Sequence, residues 1–166
     1  MPAPKRKTAK ESNKQNKTPG ARILVVEARY YDDIANTLLS GATRALEAAN
    51  AKWDRITVPG SLEIPTAIAI ALDAAEKQRA PYDGVVALGC VIQGETFHFD
   101  IVAMQSARGL LDLSVARRMP IGNGILTVDT EAQAFARAHL DGGDKGGEAA
   151  RAALALVELK RQRAKR

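Results

Sequence analysis

Cysteine is almost missing from this chain. Cys90 is the only one among 166 residues, so no internal disulfide can form and no cysteine-based metal site is expected. A lone thiol fits a reducing, cytoplasmic setting. Histidine is nearly as scarce: there are only His98 and His139, and their spacing suits no zinc site, so no metal is expected. No apolar run approaches the length of a membrane span, which argues against a membrane partner. The basic N-terminus lacks the apolar stretch of a secretory signal. Familiar phosphate motifs are absent as well. "GNG" (122–124) leads into a strand rather than a helix, unlike a dinucleotide fingerprint. "GGDKGG" (142–147) has no Ser or Thr after its lysine, as a phosphate loop requires.

Acidic charge is missing from the two ends. Residues 1–22 carry seven Lys or Arg against Glu11, and residues 159–166 carry five with no acid. Taking +6 and +5 from the net +5 leaves −6 on the body, 23–158. The positive balance is therefore a property of the termini. The body holds no basic patch interleaved with aromatics, so no nucleic-acid partner is expected. Residues 1–20, poor in apolar side chains, read as a disordered basic tail. Residues 21–160 read as one folded domain, and 161–166 as a second basic tail.

Within the body, apolar periodicity alternates between two kinds. "RILVVEA" (22–28) reads as a buried strand. Ile34, Leu38, Leu39, Ala42, Ala45 and Leu46 then fall on one face of a helix over 33–49. "WDRITV" (53–58) is a strand stopped by Pro59-Gly60, and 64–78 is a helix opening at Pro65. The unbroken run in "YDGVVALGCVI" (82–92) suits a central parallel strand. A helix over 98–116, a strand at "GNGILTV" (122–128) and a helix from Thr130 to about His139 follow. Thr130 and Gln133 there have capping-box spacing. "DGGDKGG" (141–147) reads as a break. The last helix, 148–163, places Ala149, Ala153, Leu156 and Leu159 on one stripe. Four strand–helix units imply an α/β fold, a parallel sheet with helices on both faces.

In such sheets ligands sit beyond the carboxyl ends of the strands. That rule selects "ARYYD", "VPGSLEIP", "VIQGETFHFD" and the region of "TVDTEAQ". In the third, Gly94 lets the backbone approach a ligand. Glu95, Thr96 and Phe97 offer unpaired N–H groups at a helix start, a seat for phosphate. His98, one step further, can move protons near neutral pH or simply pack in the first turn. Glu63 is either a carboxylate for a polyol or an acid favoured by the helix dipole. Tyr30 and Tyr31 can stack on a flat heterocycle or pack at a strand end. Arg137 is a phosphate clamp or a surface arginine. Cys90, inside a strand, reads as small packing rather than a nucleophile. A phosphoryl-receiver domain would need an aspartate at the end of the third strand, where this chain has "LGCVIQG".

In order, "VPGSLEIP", "ALGCVIQGETFHFD", "GILTVDTEAQ" and "DKGGEAA" resemble the lumazine synthase family over about residues 22–160. The resemblance implies a flavodoxin-like three-layer αβα sandwich with a four-stranded parallel sheet. It implies condensation of 5-amino-6-(D-ribitylamino)uracil with 3,4-dihydroxy-2-butanone 4-phosphate to 6,7-dimethyl-8-ribityllumazine. Phosphate and water leave, and no cofactor takes part. His98 matches the proton-shuttling histidine. Glu95 and Thr96 match the phosphate-binding backbone, Arg137 the phosphate clamp, and Lys145 a lysine beside it. Tyr30 matches the position that stacks on the pyrimidine. Ser61, Leu62 and Glu63 match the ribityl loop, and Cys90, Val91 and Ile92 the strand end against the pyrimidine. Asn123 stands where a phenylalanine usually crosses from a neighbouring subunit. Tyr30-Tyr31, Leu62 and Gln93 also depart from the usual pattern. The alternative is a weakly active or non-catalytic flavin- or lumazine-binding paralogue. The resemblance implies a homo-oligomer with active sites between adjacent subunits. "HLDGG" (139–143) replaces the turn seen in shell formers, which favours a pentamer over a sixty-subunit shell.

Overall fold

The computed structural model describes residues 17–165. Four strands, β1 Arg22–Ala28, β2 Lys52–Val58, β3 Gly84–Ile92 and β4 Ile121–Val128, alternate with helices. The helices are α1 Asp32–Ala48, α2 Ile64–Lys77, α3 His98–Arg117, α4 Glu131–Ala138 and α5 Lys145–Ala164. All strand pairs are parallel, and the sheet order is β2-β1-β3-β4. β1 and β3 are central, and Ile23–Val26 of β1 and Val85–Leu88 of β3 are apolar runs because both of their faces are covered.

The pleat divides the core in two. Ile23 and Val25 of β1, with Val86 and Leu88 of β3, face α1, α4 and α5. Leu24, Val26 and Ala28, with Val85 and Ala87, face α2 and α3. On the first side Ile34, Leu38, Ala42 and Leu46 form the buried stripe of α1. On the second, Ile64, Ile68 and Leu72 form that of α2. The three-layer α/β sandwich expected from sequence is thus the one found.

Several boundaries differ from the sequence expectation for identifiable reasons. β3 starts at Gly84, not Tyr82. The two residues before it are held by side-chain bonds: Arg22 N–H donates to Asp83 Oδ2 at 2.7 Å, and Tyr82 O–H donates to Asp54 Oδ2 at 2.9 Å. α5 starts at Lys145, inside the expected break, because the Asp144 carboxylate accepts from Gly147 N–H and caps it. It runs on through Ala164, so residues 161–164 of the expected basic tail are helical. Thr130 caps α4 by accepting from Gln133 N–H at 3.2 Å. The Gln133 side chain reaches back to Asp129 N–H rather than to Thr130 itself. Residues 1–16 of the expected disordered tail lie outside the described residues. Thr18, within it, is buried, and its N–H donates to Ala49 O.

The buried stripe of α5 is a correction. Gly146, Ala149, Ala150, Ala153, Leu154 and Val157 face the core, whereas Leu156 and Leu159 are exposed. Small residues win this face because α5 lies almost on the backbone of its neighbours. A Cβ on Gly146 would collide with the carbonyl oxygen of Leu38 in α1, and one on Gly122 with that of Ala149. Gly122→Ala should therefore force α5 away from β4. A loss of about 3 kcal/mol is expected from such overpacking, read as a lower urea midpoint; an unchanged midpoint would refute the close approach.

Candidate active site

The crevice lies where the sheet topology places one. β1 connects to β2 on one side, while β3 lies on the other, so the loops after β1 and β3 diverge and leave a gap at their carboxyl ends. A cavity of about 440 Å³ fills this gap, within the range of small-molecule sites. Its wall is built from three connections. The β1–α1 turn contributes Tyr30 and Tyr31. The β2–α2 turn contributes Pro59 to Glu63, and β3 with the start of α3 contributes Cys90, Val91, Ile92, Gly94, Thr96, His98, Phe99 and Val102.

Each segment has a local reason for its shape. Pro59-Gly60 ends β2, and a short 3-10 turn, Ser61–Glu63, leads into α2 with proline in its first turn. The buried Ser61 hydroxyl sits against Gly89 of β3, where any Cβ would crowd it. Leu62 and Glu63 remain exposed at the rim. α3 begins at His98, and its N-cap residue, Phe97, supplies no side-chain cap. Asp100 N–H turns back to Phe97 O at 3.1 Å, and His98 N–H makes only a long 3.4 Å contact with Thr96 Oγ1, so the donors at the very start of the helix are weakly engaged. Tyr30 is 75% exposed and meets Tyr31 edge-on at 4.9 Å between ring centres. Tyr31 leans on the core and lies near Cys90 and Glu131; burial first, then these neighbours, raises its hydroxyl pKa.

Of the residues singled out in the sequence, the cavity wall thus gathers Tyr30, Ser61, Leu62, Glu63, Cys90, Val91, Ile92, Thr96 and His98. Glu95, Asn123, Arg137 and Lys145 lie outside it. Glu95 is exposed in the loop before α3. Asn123 is exposed in mid-β4, where its Oδ1 accepts from Ile125 N–H. Arg137, exposed on α4, donates to Gln133 O one turn back. Lys145 opens α5 and pairs with Glu148 at 2.6 Å. Sequence reasoning passed over Phe99 and Val102; Val102 lies four residues after His98 on the same helical face and was legible from it. Among the described residues no three His, Cys, Asp or Glu side chains gather as a metal-ligand group.

Burial pushes the Cys90 thiol up to about 11. Its thiolate is therefore scarce at neutral pH, which suits a packing role at the cavity floor. Alkylation of the folded protein by iodoacetamide at pH 8 should run about a hundredfold slower than that of an ordinary exposed cysteine, and should rise about tenfold per pH unit up to pH 11. A fast, pH-independent reaction at pH 8 would contradict this environment.

The comparisons with known proteins agree with one another. The family model for 6,7-dimethyl-8-ribityllumazine synthase matches residues 20–161. A 6,7-dimethyl-8-ribityllumazine synthase of Nitrobacter hamburgensis is 62% identical over 146 residues, covering 88% of this chain and 90% of the relative. One of Azorhizobium caulinodans is 64% identical over 143 residues, covering 86% and 88%. A 6,7-dimethyl-8-ribityllumazine synthase 1 of Rhodopseudomonas palustris is 60% identical over 151 residues, covering 91% and 93%. A match that spans the whole described sheet, at such identity, leaves one conclusion: this chain belongs to the 6,7-dimethyl-8-ribityllumazine synthase family.

Proposed function

We propose that the chain condenses 5-amino-6-(D-ribitylamino)uracil with 3,4-dihydroxy-2-butanone 4-phosphate to give 6,7-dimethyl-8-ribityllumazine, phosphate and water. One observation carries the reading. A single cavity joins a stackable tyrosine, a polar turn with Ser61 and Glu63, an apolar strand end and a histidine at an uncapped helix start. A flat ring with a polyol tail and a phosphorylated partner need those four features together.

In this reading Tyr30 stacks on the pyrimidine, and Cys90, Val91 and Ile92 form the floor beneath it. Ser61, Leu62 and Glu63 hold the ribityl chain. The unpaired N–H groups around Glu95 and Thr96 take the phosphate. The uracil amine attacks the ketone and loses water to form a Schiff base, phosphate is eliminated, and the ring closes with loss of a second water. Each step moves a proton, and His98 stands beside the phosphate seat to carry it. Holding both substrates in one cavity supplies much of the remaining acceleration.

Assembly belongs to the same proposal. Asn123, Arg137 and Lys145 lie outside their own chain's cavity wall, so the reading draws them from an adjacent subunit. A surface for that neighbour exists. Phe97 and, along α3, Ile101, Met104, Leu111 and Val115 are 43–71% exposed at helical spacing. That length of helix buries only Ser106 and Leu110. A free monomer rarely leaves so long an apolar stripe in water. We favour a pentamer over a sixty-subunit shell, and a cytoplasmic enzyme. The single cysteine fits that compartment, and no helix among the described residues is long and apolar enough to cross a membrane.

His98→Ala should lower turnover by about 10²-fold while the fold persists. Formation of the lumazine chromophore from the two substrates measures it. An unchanged rate removes His98 from the chemistry, and ring binding without turnover in the unmodified protein favours the non-catalytic paralogue.

Subunits of His98→Ala and Arg137→Ala, co-expressed in equal amounts, should recover up to about a quarter of full activity. At random mixing that fraction of shared sites is intact. Light scattering on the same sample should give the mass of five chains. No recovery in the mixture, or the mass of a single chain, would contradict sites shared between subunits.

A further inference from the structure

Glu27 is a carboxylate with no place in the chemistry above, yet it is fully buried at the end of β1. Among the described residues only Thr18, Ser61 and Ser106 share its class of buried polar residue. Its oxygens are completely engaged. Arg29 donates to both, at 3.1 and 3.3 Å, Thr57 O–H donates at 3.2 Å, and Arg55 stands 3.6 Å away. The pleat turns Glu27 to the same side as Ile23 and Val25, toward α1 and away from the cavity. Burying a charge is costly unless something fixes its partners, and here the partner extends outward.

Arg29 makes the connection. Its guanidinium bonds Glu27 on β1, Asp32 at the start of α1, and Asn36 one turn further on. One side chain therefore ties the strand end to the helix start across the short turn that contains Tyr30. The Tyr30 ring is mostly in solvent and touches Tyr31 edge-on. Packing on the ring is thus too slight to hold it over the cavity. The backbone on both sides is what is held, through Glu27 and Arg29.

We infer that Glu27 is a positioning residue for substrate, acting through Arg29 to hold Tyr30 ready to stack on the heterocycle. This rests on the proposed reaction. Placing an aromatic face in advance spares the ordering that binding would otherwise require. The phosphate seat, on β3 and α3, is not part of this bracket. Losing Glu27 should therefore affect one substrate and not the other.

The test uses the full chain and both substrates. Glu27→Gln keeps the shape and removes the charge that holds Arg29. We expect KM for the ribitylaminouracil to rise about tenfold, with KM for the butanone phosphate and kcat within about threefold of the unmodified values. In a Tyr30→Ala background the same change should have less than about a twofold effect, because its route to the ring is gone. Arg29→Lys leaves Glu27 paired with a cation but loses the planar fork that reaches α1, and it should reproduce the split. It decides the matter alone if Glu27→Gln does not fold. Equal rises in both KM values, or additivity with Tyr30→Ala, would overturn the assignment. An unmodified chain with no turnover would instead overturn the proposed reaction.

Discussion

Burial of β1 and β3 on both faces is the constraint on which the rest of the molecule depends. A parallel strand cannot return to its neighbour by a tight hairpin, so each connection must cross the sheet as a helix. All strand-to-helix turns then leave from the same edge. Three of those turns, after β1, β2 and β3, meet at the point where the chain changes direction across the sheet. The cavity is thus a by-product of covering the sheet, and the residues placed on its wall inherit the rigidity of the strands beneath them.

Covering the first face requires unusual closeness. α1 and α5 cross with Gly146 against the Leu38 carbonyl, and β4 meets α5 with Gly122 against that of Ala149. Glycine and alanine replace bulk with backbone contact, and the layer gains many short dispersion contacts rather than a few large side chains. The opposite layer is different in kind. α2 brings Ile64, Ile68 and Leu72, while α3 is buried at two positions only and leaves an apolar stripe outward. In the proposed assembly, a second chain would cover that stripe.

Charge is arranged at two levels. At the amino ends of the strands, opposite the cavity, Arg22 lies over the Tyr82 ring and pairs with Asp54. The hydrogen bond from Tyr82 is the main cause that lowers the Asp54 pKa. At the carboxyl ends, Glu27 and Arg29 are drawn into the interior beside the turn that carries Tyr30. The first network stabilises an edge, and the second shapes a site. Their difference is burial: Asp54 is half exposed, whereas Glu27 has no water to fall back on.

The sequence by itself determined the order and type of the elements. Hydrophobic period is a property of neighbouring residues, and so the strand at 22–28 and the helix beginning at His98 were legible without any partner. It also pointed to the turns after β1, β2 and β3 that line the cavity, because the rule needs only a parallel sheet, whereas the fourth region it selected, around residues 127–133, lies outside the wall. Tertiary structure decided what local period leaves open. Ala149, Ala153, Leu156 and Leu159 satisfy one helical stripe, yet only Ala149 and Ala153 of these reach the core, and the buried face turns instead toward Gly146, Ala150, Leu154 and Val157. Nor does chain order tell how far apart side chains stand in space. Arg137 and Lys145 belong to the same motif series as His98, but the fold sets them outside the cavity that His98 lines. Such distances arise from how layers pack across the sheet, and that packing is decided by contacts between residues far apart in the chain.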